Sequence, residues 1–244
     1  MISKILNISK ISQNLSQTKH YNTTLPILLQ VMEKTRMGYL LKLGNNIIEA
    51  KSMNNLQIGS KYWAIVKDSS VNEILISNLI KQPKIFDNAK KSSLKFDINE
   101  FESLLKDSRF IEKFSDNLIE KSIASSTKDD FLFLTNSLIA LNKKILNIVI
   151  NDNKKDILLQ IKKPKDGKIE FSAIFNNLGL INGVIYNNQS LIIKTQYKNV
   201  RNILENNIKN LEGFDEFDEI RIIFDENINI FFNLYNDGIL DLEV

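Results

Sequence analysis

The chain of 244 residues contains no cysteine and a single histidine, His20. These absences exclude disulfide frameworks, thiolate zinc sites, iron–sulfur clusters, cysteine nucleophiles and histidine-rich metal centres within the chain. Eight glycines and three prolines leave no room for glycine-rich phosphate-binding loops or proline-rich spacers. The composition therefore argues against most classes of enzyme, and we expect no catalytic activity, no metal and no cofactor.

Long apolar runs are also missing. Runs such as residues 131–134 and 138–141 fall far short of the ~18 residues that a membrane span needs. Residues 1–24 interleave isoleucine and leucine with polar side chains, which predicts a flexible or amphipathic leader and not a cleaved secretory signal. A hydrophobic fraction of 43% with 25% charged residues is typical of a soluble globular chain.

Charge is divided unevenly along the chain. Residues 1–91 carry 13 Lys and Arg against 5 Asp and Glu, whereas residues 212–244 carry 1 against 10. A basic front and an acidic end indicate either internal pairing or two surfaces for different partners.

Residues 25–80 have the pattern of short strands joined by tight turns. Gly44-Asn45-Asn46 separates two apolar runs, and these residue types accept the positive φ of a hairpin turn at little cost. Four or five such strands in so short a segment predict a small β-barrel-like module.

A helical segment is predicted next, over residues 81–144. Residues 81–96, with Pro83 and a Lys-Lys-Ser-Ser cluster, are the predicted linker. Apolar residues then recur every three or four positions from Asp97 onwards, and Asp97 with Glu100 has the spacing of a helix capping box.

Residues 145–244 return to alternation. Strands are predicted up to residue 195, then one helix over 197–211 that ends at Gly213, then a strand over 220–224, with 228–232 offering a further strand. The whole chain is thus predicted to be α+β: a barrel-like module, a central helical segment, and a mixed sheet covered by one helix.

Four stretches of this last segment share a pattern with a known family. They are Leu-Leu-Gln-Ile-Lys-Lys-Pro (158–164), Gly-Lys-Ile-Glu-Phe (167–171), Leu-Ile-Ile-Lys-Thr (191–195) and Val-Arg-Asn-Ile-Leu (200–204). The pattern resembles the C-terminal domain of the bacterial flagellar hook-length control protein family. In that family a strand ends at a proline, an acidic loop closes on a glycine, and three strands and a leucine-rich helix follow. The resemblance covers residues 145–223. Residues 40–44 and 56–60 resemble the small β module that precedes this domain in short family members.

The resemblance implies a non-enzymatic flagellar assembly or motor component that works by protein–protein contact. It implies a cytoplasmic location at the flagellar base, with export through the flagellar apparatus as an alternative, and flagellar export or motor proteins as partners. The loop Pro164-Lys165-Asp166-Gly167 is one residue shorter than the family's and has lysine after the proline. The long N-terminal ruler region of the family has no counterpart here, so we expect a switch-like or scaffold role.

Two charged clusters are the candidate partner-binding residues. The basic cluster surrounds one turn, and the acidic cluster precedes the strand at 220–224: Lys162, Lys163, Pro164, Lys165 and Lys168; Asp215, Glu216, Asp218 and Glu219. The basic cluster is open to three interpretations: solvated turn residues, a protein-docking patch, or a contact for phosphate or RNA. The acidic cluster is a solvated loop or a site for a hard cation, and it lacks EF-hand spacing.

A nucleic-acid-binding small barrel is the alternative function. Tyr39, Tyr62 and Trp63 could form a base-stacking platform, although strand aromatics are more often part of a core. We expect nucleic acid not to be the partner.

Overall fold

The computed structural model describes residues 5–10, 24–52, 54–69, 74–152, 154–162, 166–208 and 217–233. The chain divides into two compact units. Residues up to Gln82 form the first, with which Asn177–Gly179 are grouped, and the other residues from Pro83 onwards form the second. Helices and sheets are both present, so the α+β prediction is confirmed.

The first unit consists of antiparallel strands in the order β1-β4-β3-β2-β5-β6. Strand β1 pairs along β4, and its residue Ile5 also pairs with Ile76 of β6. The strands are β1 (Ile5–Lys10), β2 (Ile27–Lys34), β3 (Tyr39–Leu43), β4 (Asn46–Ser52), β5 (Lys61–Ser69) and β6 (Ile74–Lys81).

Residues 5–10 differ from the prediction for the leader. They form β1, whereas a flexible or amphipathic leader was expected there. The strand is fixed by pairing with β4, more than thirty-five residues further along the chain, and local periodicity does not report such a partner. The rest of the predicted leader, residues 1–4 and 11–23, lies outside the described residues.

The turn between β3 and β4 follows the prediction from Gly44-Asn45-Asn46. Leu43 pairs with Asn46, which leaves Gly44 and Asn45 as the two loop residues, and Gly44 has φ of 57°. A glycine with positive φ at the first loop position is typical of a tight hairpin. Alternate residues of these strands, among them Leu41 and Ile48, then meet in one buried cluster.

The second unit is a six-stranded sheet with helices. Its strand order is β12-β11-β10-β9-β8-β7. The pairs β7–β8, β8–β9 and β10–β11 are antiparallel, whereas β11 and β12, which α5 joins, are parallel. The strands are β7 (Ile145–Asp152), β8 (Lys155–Lys162), β9 (Lys168–Phe175), β10 (Gly179–Tyr186), β11 (Ser190–Thr195) and β12 (Glu219–Phe224). The helices are α1 (Lys84–Ala89), α2 (Ile98–Leu105), α3 (Phe110–Ile123), α4 (Lys128–Asn142) and α5 (Lys198–Asn207).

The predicted capping box is present at the start of α2. The Asp97 side chain accepts a hydrogen bond from the Glu100 amide at 2.7 Å, and the Glu100 side chain accepts one from the Asp97 amide at 3.0 Å. The two reciprocal bonds satisfy amide groups that the first helical turn leaves without partners.

Helices α2, α3 and α4 cover part of the sheet, where a single covering helix was predicted. Phe101, Phe114 and Leu134 from these helices form one buried cluster with Ile148 of β7, and Leu159 of β8 packs against it. The physical reason is the width of the apolar face, since a ten-residue helix such as α5 can bury only two neighbouring strands.

The predicted linker contains structure as well. Helix α1 lies within residues 81–96, and its Ile85 and Phe86 are fully buried. Ser93 donates its amide to the buried carboxylate of Asp130 at 2.9 Å, which joins the stretch after α1 to helix α4. The boundary between the two units, after Gln82, lies within the predicted linker, but the residues that follow it fold with the second unit because their apolar side chains are buried.

Candidate functional site

The predicted basic cluster lies at the turn between β8 and β9. Lys162 ends β8 and Lys168 begins β9, and their ammonium groups pair with the same carboxylate, Glu170, at 2.6 Å and 2.5 Å. Hydrogen bonds from Lys162 and then Lys168 hold the pKa of Glu170 below its usual value, although burial opposes the shift. Lys163, Pro164 and Lys165 lie outside the described residues. Two cations of the predicted patch are therefore already paired within the chain.

Aromatic rings extend this ion-pair cluster across the sheet. The Lys162 ammonium lies 4.2 Å from the ring centre of Phe231, and the Lys168 ammonium lies 5.9 Å from that of Tyr186. Both distances are within the range of a cation–π contact. Tyr186 is exposed, so part of this cluster faces solvent.

The predicted acidic cluster is only partly described, since Asp215 and Glu216 lie outside the described residues. Asp218 is exposed, and its amide donates to the carbonyl of Gln189 at 2.9 Å. Glu219, the first residue of β12, pairs with Arg221 at 2.6 Å.

One turn brings the two clusters to the same end of the sheet. The turn between β10 and β11 contains Asn187, whose amide donates to the carbonyl of Gly167 at 2.7 Å, and Gln189, which accepts from Asp218. Gly167 has φ of 71°, and a Cβ there would collide with the Asn187 side chain. Lys168, which follows Gly167, and Asp218 thus lie on either side of one turn, an arrangement that chain order did not predict.

A segment that sequence analysis did not single out as a site passes over one face of this sheet. Residues 225–233, which we call the crossing segment, are all described, and none of them belongs to a strand. The further strand suggested for 228–232 is therefore not formed. The crossing segment begins where the Asp225 amide donates to the carbonyl of Thr195 and the Asp225 carboxylate pairs with Lys194, both at 3.0 Å.

Gln160 of β8 holds the far end of the crossing segment. Its Nε2 donates to the carbonyl of Phe232 at 2.8 Å, and its Oε1 accepts from the amides of Phe231 and Phe232 at 2.8 Å and 3.2 Å. The same Nε2 donates to Oδ1 of Asn147 at 3.0 Å. Gln160 is fully buried. Its side-chain amide makes the hydrogen bonds to the main chain of the crossing segment that a neighbouring strand would otherwise make.

Two more amide side chains hold the middle of the crossing segment. Nε2 of Gln196 donates to the carbonyl of Ile228 at 3.1 Å, and Nδ2 of Asn182 donates to the carbonyl of Asn229 at 2.9 Å. Because Gln196 follows β11, Asn182 is on β10 and Gln160 is on β8, the segment runs across the strands.

Sequence reasoning missed this surface. One signal was available, a glutamine within the apolar run Leu158-Leu159-Gln160-Ile161. A buried amide in a strand must find hydrogen-bond partners, but the sequence cannot say that the partner is main chain more than seventy residues away.

Tyr39, Tyr62 and Trp63 of the first unit are buried. Tyr39 and Tyr62 accept hydrogen bonds through their hydroxyl groups from the amides of Leu56 and Gln57, at 3.2 Å and 3.1 Å. Trp63 is fully buried. These rings hold the fold and do not present stacking surfaces to a nucleotide base.

The described residues contain no group of three or more His, Cys, Asp or Glu side chains arranged to hold a metal ion. His20 lies outside them. Among the described helices, none has the length and apolar character needed to cross a membrane.

Comparison with known proteins gives no relative: no family model, curated protein or solved structure matches this chain.

Proposed function

We propose that this chain acts by protein–protein contact as a bacterial flagellar assembly or motor component, without chemistry of its own. The flagellar assignment rests on the resemblance of residues 145–223 to the C-terminal domain of hook-length control proteins. The order of elements that the resemblance implies, two strands around a turn, two further strands and a helix, is also the order of β8, β9, β10, β11 and α5.

The observation that carries the protein-contact proposal is that charged residues of both signs lie at one end of the second sheet. The turn at Asn187–Gln189 is bonded to Gly167, the neighbour of Lys168, on one side and to Asp218 on the other. Opposite charges beside one another on an exposed edge suit a partner surface of mixed charge, where they favour the correct partner and the rate of encounter more than the affinity.

The first unit is, in this proposal, a small barrel-like module. The pairing of β1 with both β4 and β6 supports that description, because it links the first and last strands of the order. The proposed location is the cytoplasmic side of the flagellar base, and export through the apparatus is the alternative.

The test is deletion of the gene in the bacterium that carries it, followed by complementation. We expect the deletion to impair swimming or to alter hook or motor structure. The wild-type gene should restore swimming, and Asp218→Lys should restore it less well because it reverses an exposed charge at the sheet end. The matched control is Glu102→Lys, which reverses an exposed carboxylate on α2, and it should restore swimming fully.

Normal swimming, hooks and motors in the deletion strain would refute the flagellar assignment. Nucleic-acid binding would then be tested first, by measuring whether the affinity for an oligonucleotide falls steeply as salt is raised.

A further inference from the structure

The crossing segment lies in a trough floored by polar side chains. Within the sheet, Asn147 of β7 is paired with Gln160 of β8, and Gln160 is paired with Ser172 of β9. Further along the sheet, towards β12, Asn182 of β10 is paired with Lys194 of β11. Each of these five strands therefore contributes a polar residue, and Gln160, Asn182 and Lys194 contact the crossing segment directly.

The amides of the trough bind main-chain atoms. Gln160, Asn182 and Gln196 donate to carbonyl groups of the crossing segment, and Gln160 also accepts from two of its amides. Main-chain recognition of this kind does not depend on which side chains the bound segment carries. It is the means by which extended peptides are held in peptide-binding proteins.

The crossing segment leaves part of the trough unpaired. Nδ2 of Asn147, Oγ of Ser172 and Oε1 of Gln196 are buried, and within the described ranges none of them has a hydrogen-bond partner. The three residues are at most 6% exposed. A buried polar atom without a partner is unfavourable, because it has lost its hydrogen bonds to water and gained none in return, so the segment is an imperfect ligand for this trough.

We propose that the trough is a peptide-binding site and that residues 225–233 occupy it as an internal ligand, which an extended peptide of a partner protein displaces. This inference rests on the proposed function in one respect, namely that the partner is a protein. The unpaired amide and hydroxyl groups are the observation that favours a partner peptide, because a second extended chain can supply the hydrogen bonds that the internal ligand does not.

The chemistry of the partner peptide follows from what surrounds the trough. Lys194 pairs with Asp225 at the start of the crossing segment. Lys162 lies over Phe231, and Lys143 lies over Phe232 at 5.4 Å. The favoured partner is an extended peptide with a carboxylate at one end and an aromatic residue about seven positions later, to meet Lys194 and Lys143 in turn.

The first test measures hydrogen exchange in the unmodified full chain. If the crossing segment leaves the trough while the sheet stays folded, the amides of Phe231 and Phe232 exchange much faster than those of the β8–β9 ladder, with protection lower by about 100-fold or more. Equal protection in both places would mean that the segment leaves only when the unit unfolds, and it would overturn the proposal.

The second test measures whether an added peptide can take the place of the crossing segment in the trough. A labelled peptide with the sequence of residues 225–233, Asp-Glu-Asn-Ile-Asn-Ile-Phe-Phe-Asn, is titrated against the full chain by fluorescence anisotropy. We expect Phe232→Ala in the full chain to raise its affinity for the peptide about tenfold or more, because the internal competitor loses its buried ring. The matched control peptide, in which the second phenylalanine is alanine, should bind at least tenfold more weakly.

The outcomes separate this inference from the proposed function. Failure of the peptide to bind a folded Phe232→Ala chain would overturn the trough proposal, and so would a dimer that forms with rising concentration, since a second copy would then be the occupant. If Phe232→Ala does not fold, the exchange experiment on the unmodified chain decides. Peptide binding together with a normally swimming deletion strain would leave the trough established and the flagellar assignment refuted.

Discussion

Replacing Gly183 by alanine should destabilise the second unit, and replacing Phe171 as well should remove most of that effect. Gly183 on β10 lies against the ring of Phe171 on β9, and a Cβ at residue 183 would come within 2.7 Å of three ring carbons. A glycine within a strand often marks such a close approach. The contact bears on the trough, because Phe171 precedes Ser172 and Gly183 follows Asn182.

The expected loss of stability depends on whether the Phe171 ring can move out of the way. The atoms in the way belong to the far end of a half-buried side chain, so the ring can swing aside at a cost typical of overpacking, about 1–3 kcal/mol. Alanine is intrinsically better than glycine within a strand by roughly 0.5–1 kcal/mol, which offsets part of that cost. We expect Gly183→Ala to lower the free energy of unfolding by about 1–2 kcal/mol.

The assay is a double-mutant cycle in urea followed by far-ultraviolet circular dichroism. Circular dichroism is chosen because the single tryptophan, Trp63, belongs to the first unit, whereas both substitutions are in the second. Phe171→Ala alone should destabilise through lost burial, and adding Gly183→Ala to it should cost nothing further, which gives a coupling of about 1–2 kcal/mol between the two substitutions. Additive effects in the double variant would refute the inferred contact.

Two further substitutions test the local electrostatics. Asp97→Ala should destabilise by about 1 kcal/mol in urea, because it removes the capping box that Asp97 and Glu100 form at α2, and an unchanged urea midpoint would contradict that role. Glu170→Gln should cost less than about 1 kcal/mol at pH 7, since its pairs with Lys162 and Lys168 are partly exposed. The pKa of Glu170 is lower in the folded state than in the unfolded state. Its contribution to stability is therefore present above the ordinary glutamate pKa of about 4.3 and is lost as the pH falls through the folded-state pKa. A stability difference between wild type and Glu170→Gln that grows on acidification would contradict this.

Local chemistry predicted several elements well. The hairpin at Gly44 and Asn45 and the cap of α2 at Asp97 depend on residues within four positions of one another, and both are present. The period of apolar residues also predicted the helices over residues 97–144. It did not predict α1, because Ile85 and Phe86 are two buried residues in a short, polar stretch whose burial depends on distant parts of the second unit.

The candidate site was predictable only as separate pieces. Lys162, Lys168, Asp218 and Glu219 were identified from their charge, but not the carboxylate of Glu170 that two of these lysines share. Their common position at one sheet end depends on the parallel pairing of β12 with β11, which α5 makes possible. Pairing between strands that are distant in sequence has no local signature.

Residue types and their local spacing are enough to establish that this protein lacks cysteine chemistry, that it alternates between strand-forming and helix-forming segments, and where the hairpin at Gly44 and the cap of α2 lie. Those properties depend on residue type and on spacing within a few positions, where φ preferences and hydrogen-bonding reach operate. The tertiary structure alone decided that residues 225–233 cross the sheet instead of joining it. That choice is made by Gln160, whose buried amide pairs with main chain about seventy residues away because burial leaves it no water to bind.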